Sequence, residues 1–300
     1  MIKKCIEYTI TEPYTNRTVE EFLKSRGYSH RLVVYLRNTE GSLTIQGQPV
    51  YTIHRLQSGE VLKVVLTEET PSQSIVPVNL PLSIVYEDED ILVVNKAAGV
   101  PIHPSQGHYD NTLANAVAWY YSQKGEPFTY RAINRLDRDT TGALILAKNP
   151  LSAAILSVQM KKRQILRTYL ALVDGLLPDS GTINAPIARM EGSVITREVN
   201  FGTGESAITH YERLAAGKEY SLAELHLETG RTHQIRVHMK YIGHPLPGDY
   251  LYNPDYRRIN RQPLHSYQLE FTHPITGKVM LFTAPLPIDF ISAFYSNSLK

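Results

Sequence analysis

Residues 131–142 read Arg-Ala-Ile-Asn-Arg-Leu-Asp-Arg-Asp-Thr-Thr-Gly and bring three guanidiniums and two carboxylates into nine positions. Apolar segments of strand character precede and follow them, so we expect a loop that lies against a sheet. A guanidinium close to a carboxylate favours the ionised acid. Such a carboxylate can attack a sugar or base carbon, or stabilise cationic sugar character, when a glycosidic bond breaks. A salt-bridged surface turn is the alternative that the residue types leave open.

The same region carries a local excess of positive charge. Between Arg131 and Leu170, eight basic and two acidic residues give +6, whereas the whole chain has a formal charge of +2. A local field of this kind suits phosphate groups without making the entire surface attract nucleic acid. A solvated helix face explains part of the run equally well, including Lys161, Lys162 and Arg163.

From Leu82 onward the pattern favours strands with a few inserted helices. Strand character occurs at Ile91–Asn95, Ala143–Ala147, Tyr169–Val173, Ile208–Leu214, Tyr220–Leu227, Tyr267–Phe271 and Val279–Phe282. Helices are predicted at Thr112–Ser122, Pro150–Arg163 and Thr232–Ile242, the last with Thr232 as its N-cap. Because strands and helices do not alternate regularly, the pattern predicts an α+β fold rather than a doubly wound one.

The N-terminal residues predict a separate small unit. Thr18 begins a capping-box pattern, Ser29 can cap a second helix, and two short strands follow at Leu43–Ile45 and Val61–Val65. This order of elements resembles the alpha-L RNA-binding domain of a ribosomal small-subunit protein. We expect such a domain over residues 1–70, with few basic residues and a weak or lost RNA role, then a linker over 71–81 and a catalytic domain over 82–300.

Several motifs resemble, in order, those of RluA-family pseudouridine synthases. They are Asn95–His103, Asn134–Gly142, Arg167–Gly175, Glu228–His238, Gly243–Asp249, Leu264–Tyr267, His273–Gly277 and Ala284–Pro287. Together they span about Leu82 to Phe290. The resemblance implies a catalytic domain built on a mixed, mainly antiparallel sheet with helices, and RNA bound in a basic cleft across it. Large-subunit ribosomal RNA is the substrate class it suggests, with transfer RNA left open.

The resemblance also assigns roles to residues. It implies that Asp137 is the catalytic carboxylate acting on a flipped-out uridine. Which atom of the uridine Asp137 attacks is left open by the sequence. It places Tyr169 against the uracil, and it makes Arg231 the ion-pair partner that orients Asp137. A phosphate contact or a surface position is the alternative for Arg231. Arg135 is expected to fill the space that the base vacates, or to bind phosphate.

Further residues are expected to contact RNA, and a few depart from the family pattern. The additional contacts are Arg138, Ile235, Arg236 and His103. Asn134 stands where the family has His, Ala97 where it has Pro and Thr141 where it has Ser. Asn134 is the departure that bears on substrate contacts. Asp139 is expected to be a helper or a surface residue, with a glycosidase-like pair with Asp137 as the alternative.

The remaining expectations concern cofactors, partners and competing functions. An isomerisation needs no cofactor, and His233 and His238 are five apart, a spacing that does not suit a metal pair on one helix face. The single cysteine, Cys5, excludes an intrachain disulfide, and no apolar run reaches the length of a membrane helix. We expect a cytoplasmic monomer that binds structured RNA and no membrane. A non-catalytic ribosome-associated RNA-binding protein and a nucleoside hydrolase are the alternatives.

Overall fold

The structure, a computed structural model, describes residues 2–68 and 75–295. Its strands are β1 (Ile2–Thr9), β2 (Leu43–Ile45), β3 (Gln48–Pro49), β4 (Val61–Glu68), β5 (Ser83–Glu87), β6 (Ile91–Lys96), β7 (Thr141–Ala147), β8 (Leu166–Asp174), β9 (Ser180–Asn184), β10 (Ile187–Arg189), β11 (Arg197–Val199), β12 (Ile208–Ala216), β13 (Tyr220–Leu227), β14 (Leu264–Thr272) and β15 (Val279–Thr283). Its α-helices are α1 (Val19–Ser25), α2 (His30–Asn38), α3 (Leu113–Gln123), α4 (Pro150–Lys161), α5 (Gln234–Tyr241) and α6 (Ile288–Tyr295). Within these ranges, none of the helices combines the length and the apolarity needed to cross a membrane.

The N-terminal residues form two helices against a four-stranded sheet in the order β1-β4-β2-β3. The predicted capping box is present, because the Thr18 hydroxyl accepts from Glu21 N–H at 3.2 Å and the Glu21 carboxylate accepts from Thr18 N–H at 2.8 Å. Phe22 and Leu23 are fully buried in the core of this unit. Strand β1 was not predicted, because charged residues interrupt its apolar pattern. The RNA-binding role of the unit stays a prediction.

This unit shares a packed surface with helix α4. Leu151 belongs to the N-terminal core, and Ile155 packs against it. A Cβ atom at Gly27 would lie 2.6 Å from Cγ1 of Ile155, so the two surfaces approach closely. Lys4 adds ion pairs with Glu89 and Asp90. Helix α4 therefore contributes to the N-terminal core as well as covering the large sheet.

The predicted linker over 71–81 lies only partly within the described residues, since 71–74 fall outside them. Residues 75–81 have no regular structure but are attached to helix α3. Val78 N–H donates to the carbonyl of Asn115 at 3.2 Å, and the Asn115 side chain donates to the carbonyl of Val76 at 2.8 Å. This part of the chain is thus held by side-chain and backbone hydrogen bonds.

The large sheet has nine strands, in the order β5-β6-β7-β14-β8-β13-β12-β9 with β15 beside β14. All of its pairings are antiparallel except that of β7 with β14. The predicted α+β class, with a mixed and mainly antiparallel sheet, is confirmed. Every residue of β7 is buried, as expected for a central strand covered on both faces.

Gly142 makes the parallel junction between β7 and β14 sterically feasible. It pairs with Ser266, has φ +110°, and a Cβ atom there would lie 2.2 Å from the Ser266 carbonyl oxygen. Only glycine fits this approach without a backbone shift. The junction places the end of the 131–142 segment in the middle of the sheet.

Helix α5 begins two residues later than predicted. Its N-cap is His233 in the left-handed conformation, with φ 59° and no side-chain cap, so the prediction of Thr232 as the cap is wrong. The side chain of Gln234 organises the turn instead. Its carbonyl oxygen accepts from Arg231 N–H at 2.9 Å and from the Thr229 hydroxyl at 2.8 Å.

Candidate active site

The segment that leads to Asp137 runs alongside β7. Ile133 N–H donates to the Ile145 carbonyl at 2.8 Å. The Asn134 side chain continues this ladder, since its oxygen accepts from Ile145 N–H at 2.9 Å and its nitrogen donates to the Ala143 carbonyl at 3.3 Å. Asn134 is 3% exposed, so its amide contacts β7 rather than solvent. The residue that departs from the family pattern is therefore a backbone clamp.

Asp137 follows this clamp and faces a buried arginine. Arg236 Nη1 lies 2.8 Å from Asp137 Oδ2, while its Nε and Nη2 donate to Asp249 at 2.6 and 2.7 Å. The Arg236 and Asp249 side chains are 1% and 0% exposed, against 27% for Asp137. Burial alone would lower the pKa of Arg236, but the hydrogen bonds and charges of the two aspartates raise it above its ordinary value. The guanidinium is thus a permanent, fixed charge.

One carboxylate oxygen of Asp137 is held and the other is open. Oδ2 carries the Arg236 bond, and Oδ1 has no hydrogen-bond partner in the part of the chain that the structure describes. The Thr140 N–H donates to the Asp137 carbonyl at 3.1 Å and closes a tight turn after it. A carboxylate that is fixed through one oxygen presents the second in a defined direction.

His233 lies beside the same carboxylate. Its Nε2 is 3.8 Å from Asp137 Oδ2, too long for a hydrogen bond, and its Nδ1 is 2.9 Å from the Tyr252 hydroxyl. Burial lowers the pKa of His233, which favours the neutral imidazole at pH 7. A left-handed, uncapped residue at a helix start is a strained position of the kind that is concentrated at functional sites.

Asp137 opens into a narrow slot of about 70 Å³. Its lining comprises Arg135, Leu136, Asp137, Thr140, Tyr169, Leu227, Arg231, His233, Gln234, Ile235, Arg236 and Leu264. Tyr169 and Ile235 are each 4% exposed and contribute apolar side chains to this lining. The slot offers a flat aromatic surface close to a carboxylate.

The predicted ion pair between Arg231 and Asp137 is wrong. Arg231 pairs with Glu205 instead, and its Nε donates to the Ser206 carbonyl at 3.0 Å. Arg231 stands in the exposed turn before α5, whereas Arg236 lies on the buried face of the helix and reaches Asp137 from there. Arg231 still lines the slot, and Arg236, predicted to contact RNA, is buried.

Of the other predicted contacts, Arg135 lines the slot, whereas His103 and Arg138 are not part of its lining. Arg135 is exposed. Burial of His103, and to a smaller extent the positive charge of Arg135, lower the pKa of His103. Arg138 pairs with Asp139 at 2.9 Å and lies 5.5 Å from the ring centre of Tyr250. Asp139 is thus engaged by its neighbour. Whether His103, Arg135 and Arg138 contact RNA stays a prediction.

Sequence reasoning missed the role of Lys96. This lysine is 1% exposed, and its ammonium donates to the carbonyls of Ala97, Val100 and Arg138 at 2.7, 2.9 and 2.7 Å. Burial lowers its pKa to about 7. Lys96 thereby ties the residue after Asp137 to the turn that follows β6. Lys96 lies within the Asn95–His103 motif, but no sequence pattern indicated its three acceptors.

One group within the described ranges has the geometry of a metal site, namely Asp88, Asp90 and His273. Its atoms already have partners. His273 Nε2 lies 2.9 Å from Asp88, the other Asp88 oxygen accepts two backbone N–H groups, and Asp90 pairs with Lys4 at 3.0 Å. The group therefore serves as a polar junction that includes the N-terminal unit.

Comparisons with known proteins point to one family. A family model described as RNA pseudouridylate synthase matches residues 90–241. The chain is 41% identical to the uncharacterized RNA pseudouridine synthase YjbO of Bacillus subtilis, over 91% of this chain and 96% of that protein. It is 40% identical to ribosomal large subunit pseudouridine synthase D of Haemophilus ducreyi, over 72% of this chain and 70% of that protein. The solved structure of human RNA pseudouridylate synthase domain containing 1 is similar with a TM-score of 0.59 and 31% identity, over 68% of this chain and 83% of that one.

Proposed function

The chain belongs to the RluA family of RNA pseudouridine synthases and is an isomerase that acts on RNA, and from this premise we propose that Asp137 is its catalytic carboxylate. One observation supports this assignment above the others. Asp137 is fixed through Oδ2 by the buried Arg236, with Oδ1 open beside a slot that Tyr169 lines. Nothing else in the slot is both anionic and held in this way.

The reaction fits a site with one carboxylate and no external reactant. The bond between C1′ of the ribose and N1 of uracil breaks, the base turns, and C5 bonds to C1′. C5 loses a proton and N1, which carries none in uridine, gains one, so the atoms balance without any redox step. Oδ1 of Asp137 engages the sugar or the base during bond cleavage, and Arg236 holds the carboxylate in one orientation.

The slot also accounts for how the base is held. A uracil that turns must first leave its stack, and an aromatic ring can receive the flat base. We assign this contact to Tyr169, with Ile235 completing the apolar surface. The exposed Arg135 stands at the rim, where a guanidinium can take the place of the everted base or bind phosphate.

We further propose large-subunit ribosomal RNA as the substrate, since several relatives carry that substrate in their names. Transfer RNA is the alternative. The N-terminal unit, proposed as the alpha-L RNA-binding domain over residues 1–70, would add contacts to structured RNA.

The test is substitution of the carboxylate. Asp137→Asn should abolish pseudouridine formation while the protein still binds RNA in a filter or anisotropy assay. Carbodiimide mapping of ribosomal and transfer RNA, with and without the gene, identifies the substrate. Normal turnover by Asp137→Asn would refute the catalytic assignment, and a missing pseudouridine in transfer RNA alone would refute the ribosomal one.

A further inference from the structure

A short two-stranded sheet beside the active site carries two arginines on one face. Strands β10 and β11 pair in antiparallel register, with Arg189 directly opposite Arg197. Directly opposed side chains have Cβ atoms about 4.5–5.5 Å apart, and like charges there are destabilising. An arrangement of this kind is relieved when an anion lies between the two guanidiniums.

A cavity of about 470 Å³ lies against this pair. Its lining comprises Ile187, Ala188, Arg189, Arg197, Thr203, Glu205, Gly230, Arg231 and Thr232. Three arginines face one glutamate there, so the cavity carries an excess of positive charge. We call it the arginine pocket, defined by Arg189, Arg197 and Arg231.

The three guanidiniums have capacity for a ligand. Arg189 is exposed and its side chain has no hydrogen-bond or ion-pair partner among the residues that the structure describes. Arg197 uses one nitrogen, Nη1, for the carbonyls of Ile195 and Thr196 at 3.1 Å. Arg231 is steadied by the Ser206 carbonyl and pairs with Glu205, whose side chain is 70% exposed and free to move aside.

The pocket adjoins the active site. Arg231 lines both the arginine pocket and the slot that contains Asp137. The backbone N–H of Arg197 also donates to the Tyr252 hydroxyl at 2.9 Å, and that hydroxyl contacts His233 beside Asp137. An anion held here is therefore next to a nucleotide held in the slot.

We propose that the arginine pocket binds a backbone phosphate of the RNA strand adjoining the target uridine, and that the Glu205 carboxylate occupies that position until RNA displaces it. The substrate class rests on the proposed function. Planar guanidiniums match phosphate oxygens in pairs, and a phosphodiester is the anion that accompanies every nucleotide entering the slot.

Binding of a fluorescein-labelled oligouridylate to the full-length protein, followed by anisotropy over a range of salt, tests this without relying on catalysis. Arg189→Gln and Arg197→Gln should each weaken binding on the order of 3- to 10-fold and reduce the salt slope by about 0.7. Glu205→Gln should tighten binding by about 2- to 5-fold, since it removes the competing carboxylate. Arg257→Gln and Glu219→Gln, which change exposed pairs elsewhere, are the matched controls.

The outcomes separate the two proposals. Arginine variants with wild-type affinity and salt slope would overturn the pocket while leaving pseudouridine formation by the native protein intact. Weaker binding with an unchanged salt slope would also overturn it. The loss of a phosphate contact must reduce the slope, whereas a structural defect can weaken binding without changing it. Arg189→Gln guards against misfolding, since its side chain has no described partner to lose. If binding responds as expected but no uridine is converted, the pocket stands and the proposed function fails.

Discussion

Replacing Arg236 by lysine tests whether the shape of the buried cation matters as well as its charge. The guanidinium makes three bonds of 2.6, 2.7 and 2.8 Å to two different aspartates. A lysine ammonium is a single point charge and cannot reproduce the fork. The paired bonds to the fully buried Asp249 hold the cation there, so we expect Arg236→Lys to lose the contact with Asp137.

The magnitude follows from the value of one such bond. A hydrogen bond between charged groups contributes about 1.5–3 kcal/mol. If Asp137 needs this contact in the transition state, the chemical step slows by about 10- to 150-fold, since each 1.36 kcal/mol is tenfold. Stability should fall by less than the roughly 3–5 kcal/mol of deleting one partner of a buried pair.

Single-turnover release of tritium from 5-tritiated uridine in a large-subunit ribosomal RNA transcript measures the step directly, because C5 loses its proton. The control is Arg257→Lys. Arg257 pairs with Asp255, its side chain is 74% exposed, and it does not line the slot. Arg236→Lys that melts as a folded protein, yet turns over within twofold of the native enzyme, would refute the role given to the guanidinium.

Three further predictions concern the frame around the site. Asn134→Ala should reduce kcat more than it raises KM, because the Asn134 side chain clamps the segment to β7 and so positions Asp137. Asn134→His introduces the residue usual in the family and should retain most of kcat. Equal losses of kcat in both variants would contradict this. Gly142→Ala should destabilise the protein by several kcal/mol in urea unfolding, roughly 3 or more, since its methyl group meets the Ser266 carbonyl. Burial lowers the pKa of His238 and His265 below the ordinary 6.5, so only the unfolded state gains these protons as pH falls below that value. The free energy of unfolding should therefore fall as the pH drops below about 6.5, by up to about 1.4 kcal/mol per pH unit and histidine, and a flat profile would argue against it.

Much of the site was predictable because its residues are close in sequence. Asp137 and its surrounding arginines stand out in one segment, and the capping box at Thr18, the cap at Ser29 and the apolar runs identify most helices and central strands. The partner of Asp137 was not predictable in the same way. Arg231 and Arg236 are five residues apart and both basic, and only the start of α5 decides which one faces inward.

Other features depend on contacts between distant residues. The three acceptors of Lys96 include the carbonyl of Arg138, which lies 42 positions away. The cross-strand pairing of Arg189 with Arg197 depends on a hairpin register that no local pattern specified. Strand β1 was missed because its charged residues hide a strand that completes the sheet by pairing with β4.

The contact between Leu151, Ile155 and the N-terminal core affects how shortened versions of this enzyme should be interpreted. Deleting residues 1–81 would expose the apolar side chains of Leu151 and Ile155 on α4 to solvent, together with Ile275. If the truncated protein precipitates or turns over slowly, the cause would then be the exposed apolar surface of α4 rather than a loss of RNA affinity. Charged replacements on the outer surface of α1 and α2, which leave that apolar surface covered, are the cleaner way to ask what the N-terminal unit contributes.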